Sequence, residues 1–179
     1  YYGDHGKRVV TESDSCGNGF LSSVCFEWER ATEFAKASGI RTVQMRIGIV
    51  MSAQGGALKQ LKNVPFGYVK KFGSGSQFFS WLAIEDLLSS ILHCVRTKSI
   101  EGPINLVSPL PVTNQEMNLT MAEITNKPVL PGIPATLLRL LYGEMTNELL
   151  LASCKVSCKK LIESGFHFSF PELEQAVRG

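Results

Sequence analysis

Residues 41 to 51 constrain the fold more than any other stretch of this chain. Val43, Met45, Ile47, Ile49 and Met51 alternate with Gln44, Arg46, Gly48 and Val50. Alternation at period two predicts a β-strand from Arg41 to Met51, and the apolar Val50 predicts burial on both faces near its end. Upstream, Leu21, Val24, Cys25, Trp28, Ala31 and Ala35 recur at helical spacing. They predict a helix from about Phe20 to Ser38, with Gly39 suited to the position just past its end. A helix feeding a strand at this spacing is half of a right-handed βαβ unit, and an antiparallel α+β domain is the alternative.

The remainder reads as a helix-rich lobe. Residues 1 to 19 read as a loop, Gln54-Gly55-Gly56 as a turn, and residues 57 to 80 as irregular and punctuated by glycine. Trp81 to Ile84 reads as extended. Asp86 to Val95 reads as a helix with Leu87, Leu88, Ile91, Leu92 and Val95 on one face, and Ile104 to Val107 as a short strand. Thr113 and Glu116 have capping-box spacing and open a helix to about Thr125. Pro134 fits the first position of a helix through Tyr142. Further helices are expected around Leu149 to Leu151, from Cys158 to Ser164, and after Ser169, which has box spacing with Glu172. The fold class is therefore α/β. Residues 1–60 form part of a parallel nucleotide-binding layer, and residues 61–179 form a mixed substrate lobe interleaved with its sheet.

Several function classes are excluded at this level. Lys and Arg number 18 against 16 Asp and Glu, and they are scattered, so no nucleic-acid-binding face is expected. No apolar run reaches the ~20 residues that span a bilayer. The cysteines are Cys16, Cys25, Cys94, Cys154 and Cys158, an odd count with no Cys-x-x-Cys pair and no histidine cluster. Cys154 and Cys158 have the spacing of one helical turn, but no metal site is expected. Free thiols point to a reducing compartment, the cytoplasm, or an organelle after loss of a transit peptide. The first residue is Tyr1 and not Met, which reads as a fragment or a processed product.

A series of short segments, in order, resembles the epimerase family of atypical extended short-chain dehydrogenases/reductases. The segments include Tyr1-Tyr2-Gly3, Trp28-Glu29, Arg46 to Val50, Gly55 to Leu58, Gly73-Ser74-Gly75, Gln77, Trp81 with Ile84 and Asp86, Gly102 to Leu106, Pro111 to Asn114, Gly143-Glu144, and Lys159-Lys160-Leu161 leading to Gly165-Phe166. The resemblance implies the C-terminal portion of an extended Rossmann-type fold that binds NADP(H). Some members are labelled cell-division inhibitors. Such proteins start with a strand, a glycine-rich loop and a helix whose N-terminus cradles the pyrophosphate. No Gly-x-x-Gly-x-x-Gly occurs here, so the glycine-rich half is expected to be absent and cofactor binding by this chain alone to be weak.

The resemblance also assigns candidate residues. Tyr2, Glu29, Gly48, Ile49 and Val50 are expected along the cofactor, with Glu29 facing the nicotinamide ribose. Gln77 and Trp81 are expected at the substrate. The superfamily's Tyr-x-x-x-Lys pair, in which the lysine acidifies the tyrosine that moves the proton, is missing. Cys25 and Glu29 occupy its two positions. Cys25 also fits a buried small hydrophobe, and Glu29 a solvated residue paired with Lys or Arg. No arginine occurs from Gly73 to Asp86, where sugar-nucleotide epimerases hold a diphosphate, and Phe79 or a neighbour stands in its place. The expected activity is that of an NADP(H)-dependent oxidoreductase or epimerase acting on a small carbonyl or hydroxyl compound. The alternative is a non-catalytic NADP-binding regulator with a protein partner or a homodimeric form.

Overall fold

The expected helix and the expected strand of the first third are each divided in two. A computed structural model describes residues 1–52, 55, 69–143 and 146–178. In it a short strand β1 (Val9–Val10) precedes helices α1 (Phe20–Arg30) and α2 (Glu33–Ala37) and strands β2 (Val43–Ile47) and β3 (Ile49–Ser52). The helix breaks where the Thr32 hydroxyl donates to the Glu29 carbonyl (2.7 Å) and accepts from the Gln44 amide nitrogen (2.7 Å). The strand breaks at Gly48, whose N–H donates to Leu106 O (3.1 Å), while the Ile49 N–H donates to Ser80 O (2.9 Å). One residue thus carries the chain from one partner strand to another. A Cβ at Gly48 would lie 2.7 Å from Ser80 O and 2.9 Å from a Val107 methyl, so only glycine permits the crossing.

The other elements are β4 (Val69–Phe72), β5 (Phe78–Phe79), β6 (Trp81–Ala83), α3 (Ile84–Arg96), β7 (Gly102–Leu106), β8 (Val112–Thr113), α4 (Asn114–Thr125), β9 (Val129–Ile133), α5 (Ala135–Tyr142), a π-helical turn (Thr146–Leu151), β10 (Lys155–Val156), α6 (Lys159–Glu163) and α7 (Leu173–Arg178). Strands β2·β7, β3·β6, β4·β9 and β1·β10 pair in parallel, and β5·β8 antiparallel. The capping box forms as expected: Thr113 Oγ1 accepts from the Glu116 N–H, and Glu116 accepts from the Thr113 N–H.

Several expectations change. Strands β1, β4, β5, β8, β9 and β10 were not expected; β9 contains Pro131 and Gly132, and its ladder absorbs them with a register shift opposite Lys70–Phe72. Cys154 and Cys158 do not share a helical turn, because β10 lies between them. The Ser169–Glu172 box does not form: the Ser169 and Phe170 N–H groups donate instead to the two carboxylate oxygens of Asp86 (2.8 and 2.9 Å). Helix α3 also turns a different face inward from the one expected. Its buried face is Asp86, Leu87, Ser90 and Cys94, while Leu88, Leu92 and Val95 are exposed. The turn at Gln54–Gly56, the Phe66-Gly67-Tyr68 segment and Glu144 lie outside the described residues, except for Gly55.

Two apolar clusters flank the parallel strands. Successive residues of β6 point to opposite sides. Trp81 joins Met51, Met117, Met121 and Leu173. Leu82 joins Ile104, Leu106, Leu161 and Phe166. Each such fully buried side chain contributes roughly 1.5–3 kcal/mol. No helix among the described residues is long and apolar enough to cross a membrane, and no group of side chains among them has the make-up of a metal site.

Candidate functional site

Strands β2 and β3 meet end to start at Gly48, and a cleft of about 1010 Å³ opens beside this junction. In open α/β sheets, ligands bind beyond the carboxyl ends of strands where the strand order switches, and Gly48 marks such a place. Helix α1 forms one wall through Leu21, Cys25 and Glu29. The N-terminal Tyr1 to Asp4, the strand residues Phe78 and Phe79, and a distant segment from Asn147 to Val156 form the others.

The polar floor follows from the alternation in β2. Val43 and Met45 turn to the Leu82–Ile104 cluster. Gln44 and Arg46 turn to the helical side, where Thr32 at the start of α2 and Glu29 near the end of α1 receive them. Arg46 Nε and Nη2 donate to the two oxygens of Glu29 (2.8 and 2.9 Å). Its Nη1 donates to Tyr2 Oη (2.8 Å) and to the Glu12 carbonyl (3.3 Å). The guanidinium carbon lies 3.5 Å from the centre of the Tyr1 ring. Tyr2 Oη donates onward to Asn105 Oδ1 (2.7 Å). Burial works against the charge on Arg46, but the hydrogen bonds it donates to Glu29 and Tyr2 outweigh it and hold its pKa above the usual arginine value. Burial pushes the Tyr2 phenol up. It likewise pushes the Cys154 thiol up to about 11, so that group stays neutral in ordinary buffers.

Of the residues named from sequence, Tyr2, Cys25, Glu29, Gly48 and Ile49 line this one cleft. Val50, Gln77 and Trp81 do not. Val50 packs against the Leu82 cluster. The Gln77 amide nitrogen donates to Phe72 O and Leu150 O. Trp81 is fully buried, with its indole N–H donating to Leu110 O (2.9 Å). Cys25 is half-buried and not a core residue. Trp28, expected on the buried stripe, is 73% exposed. Beside it, β2 has an open edge. The bonds Gly102 N–H to Thr42 O and Gly48 N–H to Leu106 O fix the even-numbered residues towards β7. The backbone groups of Val43, Met45 and Ile47 therefore face the other way, where no strand among the described residues pairs with them.

Sequence reasoning missed Glu148. Helix α1 has Gly19 as its N-cap, with no side chain to cap it and no acidic residue in the first turn. The Phe20 and Leu21 N–H groups donate instead to the two Glu148 oxygens (3.0 and 2.8 Å). Gly19 has φ 128°, and a Cβ there would come within 2.9 Å of that carboxylate. The π-helical turn is thereby fastened to the helix that carries Cys25 and Glu29. Glu148→Ala should cost about 1 kcal/mol, the usual worth of a lost cap. It should also speed amide exchange at Phe20 and Leu21; unchanged protection there would show that the cap is dispensable.

Comparison with known proteins now supplies the family. Residues 133–179 match the domain of unknown function DUF1731. An epimerase family protein of Mycobacterium bovis is 35% identical over 178 residues, covering 99% of this chain and 59% of the relative. The chain thus spans about three-fifths of that protein's length. The crystal structure of a human epimerase family protein with NADPH superposes with a TM-score of 0.86 at 27% identity, covering 99% of this chain and 61% of that one. A nucleoside-diphosphate sugar epimerase from Corynebacterium glutamicum superposes with a TM-score of 0.78 at 32% identity, over 97% of this chain and 33% of that one. The fold is thus the extended Rossmann type with parallel sheets, and the chain belongs to the epimerase family of atypical extended short-chain dehydrogenases/reductases.

Proposed function

We propose that this chain forms the nicotinamide and substrate side of an NADP(H)-dependent oxidoreductase or epimerase-like site that acts on a small carbonyl or hydroxyl compound. The observation that carries the reading is the cleft at the Gly48 switch, lined by Tyr2, Cys25, Glu29 and Ile49. A nicotinamide ring needs a flat apolar wall and close backbone approach. Ile49 offers the first, and the Gly48 backbone lining the cleft the second. The cofactor would supply the hydride, and the chain would orient the reactants and exclude water. No Gly-x-x-Gly-x-x-Gly fingerprint occurs in these 179 residues, so no grip on the phosphates is assigned to them. The open edge of β2 and the uncovered Trp28 support further α/β structure packing there, in the same polypeptide or a partner.

The arrangement of Glu29 favours a second reading, a protein that binds the cofactor without turning it over. The lysine of the superfamily's pair is a cation that holds the ribose and acidifies the tyrosine. Here Glu29 holds that position, with both oxygens taken by Arg46.

Fluorescence titration of this chain with NADPH and with reduced nicotinamide mononucleotide tests the first reading. Without a phosphate grip the two should bind within about threefold of each other, since the adenosine half adds little affinity. Absence of binding by either would remove the cofactor from this cleft. Binding with no oxidation of NADPH across a panel of carbonyl compounds would favour the second reading.

A further inference from the structure

We propose that the inner end of the cleft selects an uncharged, largely apolar molecule and excludes sugar nucleotides. The inference rests on reading the cleft as a substrate site, and it names the substrate class. Three carboxylates line the cleft, Asp4, Glu29 and Glu148, against one cationic side chain among the described residues, Arg46. Arg46 has little left to offer an anion. Four N–H contacts are taken by Glu29, Tyr2 and the Glu12 carbonyl, and one face of the guanidinium is covered by Tyr1. Lys155 lies outside the lining, over the Phe78 ring at 5.2 Å. A diphosphate entering here would lose its hydration beside carboxylates of its own sign, with no free cationic side chain among the described lining residues to receive it. An uncompensated charge of this kind is strongly disfavoured.

The walls favour the opposite kind of ligand. Ile49, Phe78, Phe79, Leu149, Ala152 and Val156 present apolar surface. The Ser80 hydroxyl between them is turned away, donating to Cys154 O and accepting from the Val156 N–H. The thiol of Cys154, neutral through its raised pKa, adds no charge. A pocket that is apolar with few polar groups binds by burying area and leaves charged competitors in water.

The test uses prodan, a neutral naphthyl ketone whose emission moves to the blue in apolar surroundings, with the chain as it stands and no cofactor. One-site binding with a blue shift is expected, undisturbed by UDP-glucose in about hundredfold excess over prodan. Leu149 is half-exposed, so Leu149→Trp folds while narrowing the cleft, and it should weaken prodan binding about tenfold. Ala152→Phe, checked by circular dichroism, narrows the same space from a neighbouring position and should act likewise. Displacement by UDP-glucose, no binding of prodan, or equal binding by both variants overturns the proposal. Because no nicotinamide is present, loss of the cofactor reading leaves this result untouched, and failure here leaves the cofactor titration standing.

Discussion

Replacing Glu29 with alanine should destabilise the fold by about 2–4 kcal/mol, somewhat under the usual cost of breaking a buried ion pair. The Arg46 side chain is 8% exposed and that of Glu29 23%, so the alanine variant strands a guanidinium where water reaches poorly. Arg46→Met should cost a similar amount, because Glu29, Tyr2 Oη and the Glu12 carbonyl all lose their donor. The double variant Arg46→Met/Glu29→Leu should be less damaging than the sum of the two, since no charge is then left buried. For a chain of this size the single variants should melt about 4–16 °C lower, at ~2–4 °C per kcal/mol. Chemical denaturation of the four proteins closes the cycle. Strict additivity would show that the pair is not coupled. The same series bears on function: if Glu29 reaches a ribose as well, Glu29→Gln should weaken NADPH binding beyond what its stability loss explains.

The pair shows what the sequence made legible. The alternation of β2 set Gln44 and Arg46 on one face, and the helical repeat set Glu29 and Thr32 one turn apart. Both periodicities are local, and these two pairs keep their spacing although the helix divides between Glu29 and Glu33. What joined them, residue 44 to 32 and residue 46 to 29, is a packing relation that neither repeat contains. The same holds for the break at Gly48. Alternation continues through it without interruption, and the reason for the break is Ser80 O, which the fold brings within reach of a Cβ that glycine lacks.

The family resemblance was legible because it rests on an ordered series of short segments, and both the fold and the relatives bear it out. Much of the cleft was not. Phe78 reaches it because the Cys154 N–H donates to Phe78 O. Glu148 reaches it through two amides at the start of a helix 127 residues earlier in the chain. No local pattern marks such residues. Trp28 erred in the other direction. Its helical spacing marks it for burial, and the helix face it occupies is bare among the described residues.

Asp86 should prove the most sensitive single position after residue 60. Its side chain is fully buried, and each carboxylate oxygen accepts one backbone N–H, from Ser169 and from Phe170. Those amides belong to the segment that seats Phe170 and α7 against the Trp81 cluster. Asp86→Ala leaves two N–H groups without acceptors, at about 1–3 kcal/mol each, so a loss of about 3–5 kcal/mol is expected. Asp86→Asn keeps one acceptor oxygen but turns an NH₂ towards an N–H donor, and it should recover less than half of that loss. The measurement is unfolding by urea together with amide exchange at Ser169 and Phe170. The exchange arm separates two accounts. If the carboxylate anchors the C-terminal segment, α7 exchanges faster in Asp86→Ala than the β2·β7 ladder does. If Asp86 acts mainly by charge at the start of α3, protection is lost first in the opening turn of that helix while α7 stays closed.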